Sequence, residues 1–313
     1  VRCMFWKRSI NKIFFTTLIV FIAFVLFSFS KTGVDKESYS NSSYKVSLYT
    51  INDDSYVSMT SVFLDGDTLE EKVSNVIDIM IIDNNKNSLL PSYFKPILPR
   101  DTKLISVKLD GDILKVVFSK ELLNISSEQS DAMIESLLYT LLGFDEVVGV
   151  EIYVEDSLLK YVPNTNKRLP TILYDDYGIN KSYSLSSNMD IKRVNLYYYT
   201  KNNDDYYLIP VTKYVNDKRE KLEIIVEELS SFLYHDNLIS MLSDSVKLVS
   251  YDIDDDVISL DFTDSFDSFD NVSDTVVKPL LCSLFSNYSV SKVKISVDGV
   301  KILEKDKKDI DIY

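Results

Sequence analysis

The stretch KLISVKLDGDILKVVFSKEL, residues 103–122, returns 144 positions later as KLVSYDIDDDVISLDFTDSF, residues 247–266, without a gap. Leu104 matches Leu248, Ser106 matches Ser250, Asp110 matches Asp254, Ile113 matches Val257 and Phe118 matches Phe262. Apolar and polar residues alternating on either side of an acidic turn read as a β-hairpin. A hairpin met twice with the same Lys-Leu start and the same Phe-hydroxyl end makes the chain a duplication of one supersecondary unit.

The rest of the unit follows by matching the flanks. The first copy opens with VSLYTI and YVSMTSVFL around the turn NDDS, the second with VNLYYYT and YYLIPVTKYV around KNNDD. β-branched and aromatic runs broken by Asn/Asp clusters are hairpin signals. An amphipathic helix follows, with Leu69, Val73, Val76, Ile77 and Met80 behind an Asp67–Glu70 capping box. Its counterpart carries Leu222, Ile225, Val226, Leu229 and Leu233 behind Asp217 and Glu220. After the duplicated hairpin comes a second helix, where Ile134, Leu137, Leu138 and Leu141 match Val277, Leu280, Leu281 and Leu284. Pro279 stands where Ser136 stands in the first copy; it lacks a backbone donor and predicts a kink or a late helix start. VGVEIYVED and SKVKISVDG supply a closing strand each.

The expected architecture is therefore α+β: two similar domains, each a small sheet with two helices on one face, in the order ββαββαβ. The domains are placed at 46–160 and 194–305, with a connector at 161–193 packed in part through Ile172, Leu173 and Tyr174, and a charged tail at 306–313.

Ahead of them lies IFFTTLIVFIAFVLFSF, an apolar run of 17 residues at 13–29 behind Arg2, Lys7, Arg8 and Lys12. At about 1.5 Å per residue it reaches roughly 25 Å, slightly short of a hydrocarbon core of about 30 Å. Residues 1–30 thus read as a cytoplasmic basic flank and an N-terminal transmembrane signal-anchor, and 31–45 as a polar tether. Cleavage near Ser28 and Ser30 is the rival reading. Both place the large body outside the cytoplasm, with the membrane itself as a partner through residues 13–29.

The net charge of −14 becomes −18 once those four basic residues are set aside. Such a body is repelled by phosphate backbones and anionic lipid heads, so nucleic acid is not an expected partner. Chemistry is equally hard to build. Cys3 and Cys282 give no disulfide framework or zinc spacing, and Cys282 in PLLCSLF reads as core. His235 is the sole histidine, has no counterpart in the first copy, and reads as a surface residue. Asp252, Asp254 and Asp256 alternate as in a calcium loop, but Val257 and Thr263 stand where that loop needs Gly and an acid. The duplication makes the same residues a hairpin tip. Ser119 and Thr263 have no matched base and read as hydroxyls closing a strand. The seven glycines form no phosphate-binding loop. No catalytic residue, cofactor or metal site is expected. A contact surface is: Tyr197, Tyr198, Tyr199, Tyr206 and Tyr207 crowd the opening of the second copy, and tyrosine suits interfaces that are part apolar and part wet.

The matched segments resemble a known family. LYYYTKNNDDYYLIPVTKYV resembles the opening of the GerMN (sporulation and spore-germination) domain, and ILPRDTKLISVKLDGDILKVVFSKEL its middle. LLYTLLGFDEVVGVEIYVED and KVKISVDG resemble its end. The resemblance spans 46–159 and 194–303 and departs from the pattern in two places. No lipid-accepting Cys follows the apolar run, and the second copy lacks the Pro and Thr before Lys247. It implies an exported, non-enzymatic protein acting by protein contact in sporulation, in the complex between mother cell and forespore, or in germination. Kinship with ring-building modules of secretion systems implies envelope proteins, or further copies of the chain, as partners. The competing expectation is a wall-associated ligand-binding protein unrelated to sporulation.

Overall fold

The computed structural model describes residues 43–310 apart from 203–204, 231–232, 236, 241, 243–244 and 264–273. The apolar segment 13–29, its basic flank and the tether up to residue 42 lie outside the described residues. Among the described residues no helix is long and apolar enough to cross a membrane.

The first repeat opens with the hairpin β1 (Ser43–Asn52) and β2 (Val57–Asp65), followed by α1 (Leu69–Met80). A two-residue strand, β3 (Phe94–Lys95), meets β1 at Ile51 and Asn52. The duplicated hairpin is β4 (Leu104–Asp110) and β5 (Ile113–Phe118); α2 (Ser127–Leu141) then leads to β6 (Gly149–Val154) and β7 (Ser157–Leu158). The connector adds β8 (Ser182–Ser184). The second repeat runs through β9 (Lys192–Asn202), β10 (Asp205–Val215), α3 (Lys221–Leu229), β11 (Leu233–His235) and β12 (Leu238–Ile239). It ends with β13 (Leu248–Ile253), β14 (Val257–Phe262), α4 (Asp274–Asn287), β15 (Lys292–Val297) and β16 (Val300–Asp306). His235 ends β11, and its side chain lies outside the described set.

The duplicated hairpin carries the same irregularity in both copies. Its register shifts between Leu104 and Ser106 in one and between Leu248 and Ser250 in the other, so Ile105 and Val249 bulge out into solvent. The hydroxyls expected to close the strands do so. Lys103 N–H donates to Ser119 Oγ at 3.0 Å, and Lys247 N–H to Thr263 Oγ1 at 3.3 Å. At the tip, Asp256 accepts from the Ser291 N–H at 2.9 Å and from its hydroxyl, which fastens the turn to the next strand.

Each repeat holds two sheets where one was expected. The orders are β2-β1-β3 with β4-β5-β6-β7, then β11-β12-β9-β10-β8 with β13-β14-β15-β16. The reason lies in the second helix. A helix laid on one face of one sheet keeps a solvated stripe, but α2 buries polar Ser130, Glu135, Ser136 and Thr140 along with Met133, Ile134, Leu137, Leu138 and Leu141. One side of α2 belongs to the β5–β6 crossover, where the strands pair in parallel from Ile113↔Gly149 to Phe118↔Val154. On its other side lies the opening strand. Tyr49 N–H of β1 donates to Thr140 Oγ1 at 2.9 Å, and in the second copy Tyr197 N–H of β9 donates to Ser283 Oγ at 2.9 Å. Asn195 N–H donates to Asn287 Oδ1 at 3.1 Å, and Asn287 Nδ2 returns a bond to Asn195 O at 2.7 Å. The helix thus satisfies with side chains the strand edge that another strand would otherwise pair, a standard way of closing an exposed edge.

The helix starts also differ from expectation. The cap of α1 is Thr68, not Asp67: Thr68 Oγ1 accepts from Glu71 N–H and Glu71 Oε2 accepts from Thr68 N–H. In the second copy Asp217 is drawn off by Arg219, whose backbone and guanidinium both donate to it, and Glu220 takes the cap position without a capping bond. Helix α4 carries Pro279 inside it. Each repeat has its own core, one built from residues between Val46 and Ile179 and the other from residues between Val194 and Val297. Cys282 lies fully inside the second, and burial pushes its thiol up to about 12.

Candidate functional site between the repeats

The connector is more than a tether between the copies, because its middle joins both. Leu173 exchanges two backbone bonds of 2.9 Å with Val150 of β6, and β8 pairs in parallel with β10. Between these points sits Asn180, in the left-handed region at φ 45°, a conformation asparagine tolerates better than most residues. Its Nδ2 donates to Val57 O and to Pro210 O, both at 2.7 Å, and its Oδ1 accepts from Val57 N–H at 2.9 Å. One amide thus bridges β2 of the first repeat and β10 of the second. Asn180 N–H donates to Glu135 Oε2 at 2.7 Å, and the Lys181 ammonium lies 2.7 Å from Glu135 Oε1 and 3.6 Å from the Tyr177 ring centre. Burial pushes the Glu135 carboxyl up, opposed by the Lys181 charge and by the bonds donated from Lys181 and Asn180. Removing one member of a buried pair like this costs about 3–5 kcal/mol, because the other charge is stranded.

The five tyrosines do not form one open patch. Tyr198 is wholly buried and Tyr199 is 5% exposed, so neighbours on opposite faces of β9 are both covered. Tyr207 belongs to the seam. It stacks on Tyr93 of the first repeat at 4.9 Å and 21°, and its hydroxyl accepts from Asn52 Nδ2 at 3.0 Å. Tyr197 is half-buried and lines a cleft between the repeats. Tyr206 alone of the five is exposed, at 44%, with its ring edge-on to Tyr199 at 6.0 Å.

The cleft measures about 290 Å³ and is lined by equivalent parts of both copies. Tyr49 and Gly143 face it from the first repeat, and Tyr197 and Ser286 occupy the corresponding places in the second. Tyr139 adds a third ring, tilted at 47° to Tyr49 with centres 5.6 Å apart. The Tyr139 hydroxyl donates to Asp175 O at 2.8 Å, and Arg193 donates to the same oxygen at 3.0 Å. Sequence reasoning missed this place, since its residues come from seven separated stretches spread over both copies and the connector. Among the described residues no group of three or more His, Cys, Asp or Glu is placed to hold a metal ion.

Comparison with known proteins covers both repeats. The family described as Germane, sporulation and spore germination, matches residues 47–160 and 195–303. The spore germination protein GerM of Bacillus subtilis is 26% identical over an alignment of 287 residues that covers 88% of this chain and 78% of that protein. The solved tandem GerMN domains of the sporulation protein GerM from Bacillus subtilis superpose with a TM-score of 0.76 at 24% identity, covering 83% of this chain and 92% of that one.

Proposed function

The chain belongs to the Germane family of sporulation and spore germination proteins, and from that premise we propose that it serves sporulation or germination as a membrane-anchored, non-enzymatic protein. Its exported body works by contact with envelope proteins or with further copies of itself. The observation that carries this reading is the reach of the likeness to the spore germination protein, which runs through both repeats and the connector, not through one motif. Export and anchoring are supported by the basic flank and the apolar run at 13–29. A non-catalytic role is supported by a duplicated scaffold whose single histidine, His235, has no counterpart in the first copy.

Contact is supported by surfaces that the fold leaves available. β4 and β13 are the outer strands of their sheets, and β13 presents Val249, Tyr251 and Ile253 to solvent in alternation. An outer strand with apolar side chains accepts a partner strand through its backbone. Tyr206 is the ring of the second opening hairpin still free to meet a partner. Deleting the gene in the source organism tests the role: heat-resistant spore counts, or the rate of optical-density loss on germination, should fall. Unchanged counts and unchanged germination would overturn it.

A further inference from the structure

The cleft between the repeats has a composition that the contact role does not use. Its lining includes Tyr49, Tyr139 and Tyr197 together with Lys307. Lys307 follows the end of β16, where its backbone N–H donates to Ser291 O at 2.8 Å, and the residue lines the cleft. It is half-buried and, among the described residues, has no salt-bridge partner, in a protein of net charge −14. Arg193, beside Tyr139 and likewise without a carboxylate partner among the described residues, spends one bond on the Asp175 carbonyl. An acidic chain that leaves Lys307 without a carboxylate partner in the lining of an aromatic cleft favours an anion there. The size, at the lower end of the roughly 300–1,000 Å³ of small-molecule sites, and the aromatic walls favour a flat apolar body. The surrounding negative charge, including Asp175 at the rim, disfavours a doubly charged phosphate relative to a singly charged group.

We propose that the inter-repeat cleft binds an organic carboxylate carried on a flat apolar body, with the Lys307 ammonium on the carboxylate and the tyrosine rings against the body. The same chemistry is offered by a free small molecule and by the aromatic C-terminal residue of a partner polypeptide. The test titrates N-acetyl-phenylalanine into the purified full-length chain by calorimetry, with the neutral N-acetyl-phenylalaninamide as the isosteric control. The acid should bind saturably and about tenfold or more tighter than the amide, as a charge-assisted bond requires. Lys307→Gln, at a half-buried position that leaves the core untouched, should erase that preference, while Lys308→Gln, next to it and exposed, should keep it. A short peptide ending in the same phenylalanine carboxylate identifies the source: tighter binding than the single residue assigns a partner's chain end, and equal or weaker binding a free carboxylate. Equal affinity for acid and amide, an unchanged preference in Lys307→Gln, or no saturable binding up to about 10 mM overturns the proposal.

Discussion

Replacing Asn180 with Ala probes the seam at its narrowest point. The side chain makes three hydrogen bonds of 2.7–2.9 Å, two to Val57 and one to Pro210, and Val57 is wholly buried. Water is poorly placed to replace them, so each stranded group costs about 1–3 kcal/mol, less whatever the seam recovers by opening. Alanine must also keep φ at 45°, which adds about 1 kcal/mol. Together these reach about 4–10 kcal/mol, and opening of the seam to water brings the expected loss down to roughly 3–6 kcal/mol. Since each repeat has its own core, the loss should fall on their coupling, and a single unfolding transition should split in two. Urea denaturation of the body from residue 43 onward, followed by circular dichroism, reads both effects. Asn180→Gly removes the same bonds without the backbone strain and should be about 1 kcal/mol milder than Ala. A loss below about 1 kcal/mol for Asn180→Ala, or an unsplit transition of unchanged midpoint, would show that the bridge does not couple the repeats.

Ser283→Ala takes away the acceptor of the Tyr197 N–H and should lower stability by about 1–3 kcal/mol in the same denaturation assay; a neutral result would mean that helix α4 does not close the β9 edge. Tyr207→Ser loses the stack on Tyr93 and the bond from Asn52 and should cost roughly 2–3 kcal/mol, whereas Tyr206→Ser loses only the edge-on contact of an exposed ring with Tyr199 and should stay within about 1 kcal/mol. The Lys292 and Lys301 ammoniums hold the Glu304 carboxyl down at about 2, from an ordinary 4.5. A depressed acid stabilises the fold above its ordinary value and loses that contribution as pH falls, so the window runs from 4.5 down to about 2. Glu304→Gln should flatten the acid limb of a stability-versus-pH curve in that window, lowering stability modestly at neutral pH, where the carboxylate is charged, and leaving it nearly unchanged at the acid end.

The duplication, the ββαββαβ order shared by the copies and the apolar helix stripes were legible because each depends on local periodicity that the two copies repeat; Leu233, expected in the second stripe, instead begins β11, and the strands β3, β7, β11, β12 and β16 were not foreseen. The hydroxyls of Ser119 and Thr263 were legible for the same reason: the copies agree on them. The division into two sheets was not. It depends on the back face of α2 and α4, where Thr140, Ser283 and Asn287 meet strands about ninety positions away, and small polar residues on a helix look the same whether they face water or a backbone. The helix caps failed for a nearer reason: Asp217 has a stronger local partner in Arg219 than any helix N–H. Strand alternation also misled at Tyr198 and Tyr199: Tyr198 lies in the second repeat's own core, and Tyr199 on the other face is packed edge-on against the ring of Tyr206. The cleft and the Asn180 bridge join residues from both copies and the connector, which no periodicity within one copy can bring together.

The central claim is that the exported body acts by protein contact during sporulation or germination. A photo-crosslinking amino acid at position 206, in the full-length chain expressed in its own host, tests it most directly. Tyr206 is exposed and its loss is predicted to leave the fold intact, so the label reports contact without disturbing the core. The account predicts an adduct with an envelope protein, or with a second copy of the chain, confined to sporulating or germinating cells. An absence of adducts at those stages, or the same adduct throughout vegetative growth, would contradict it.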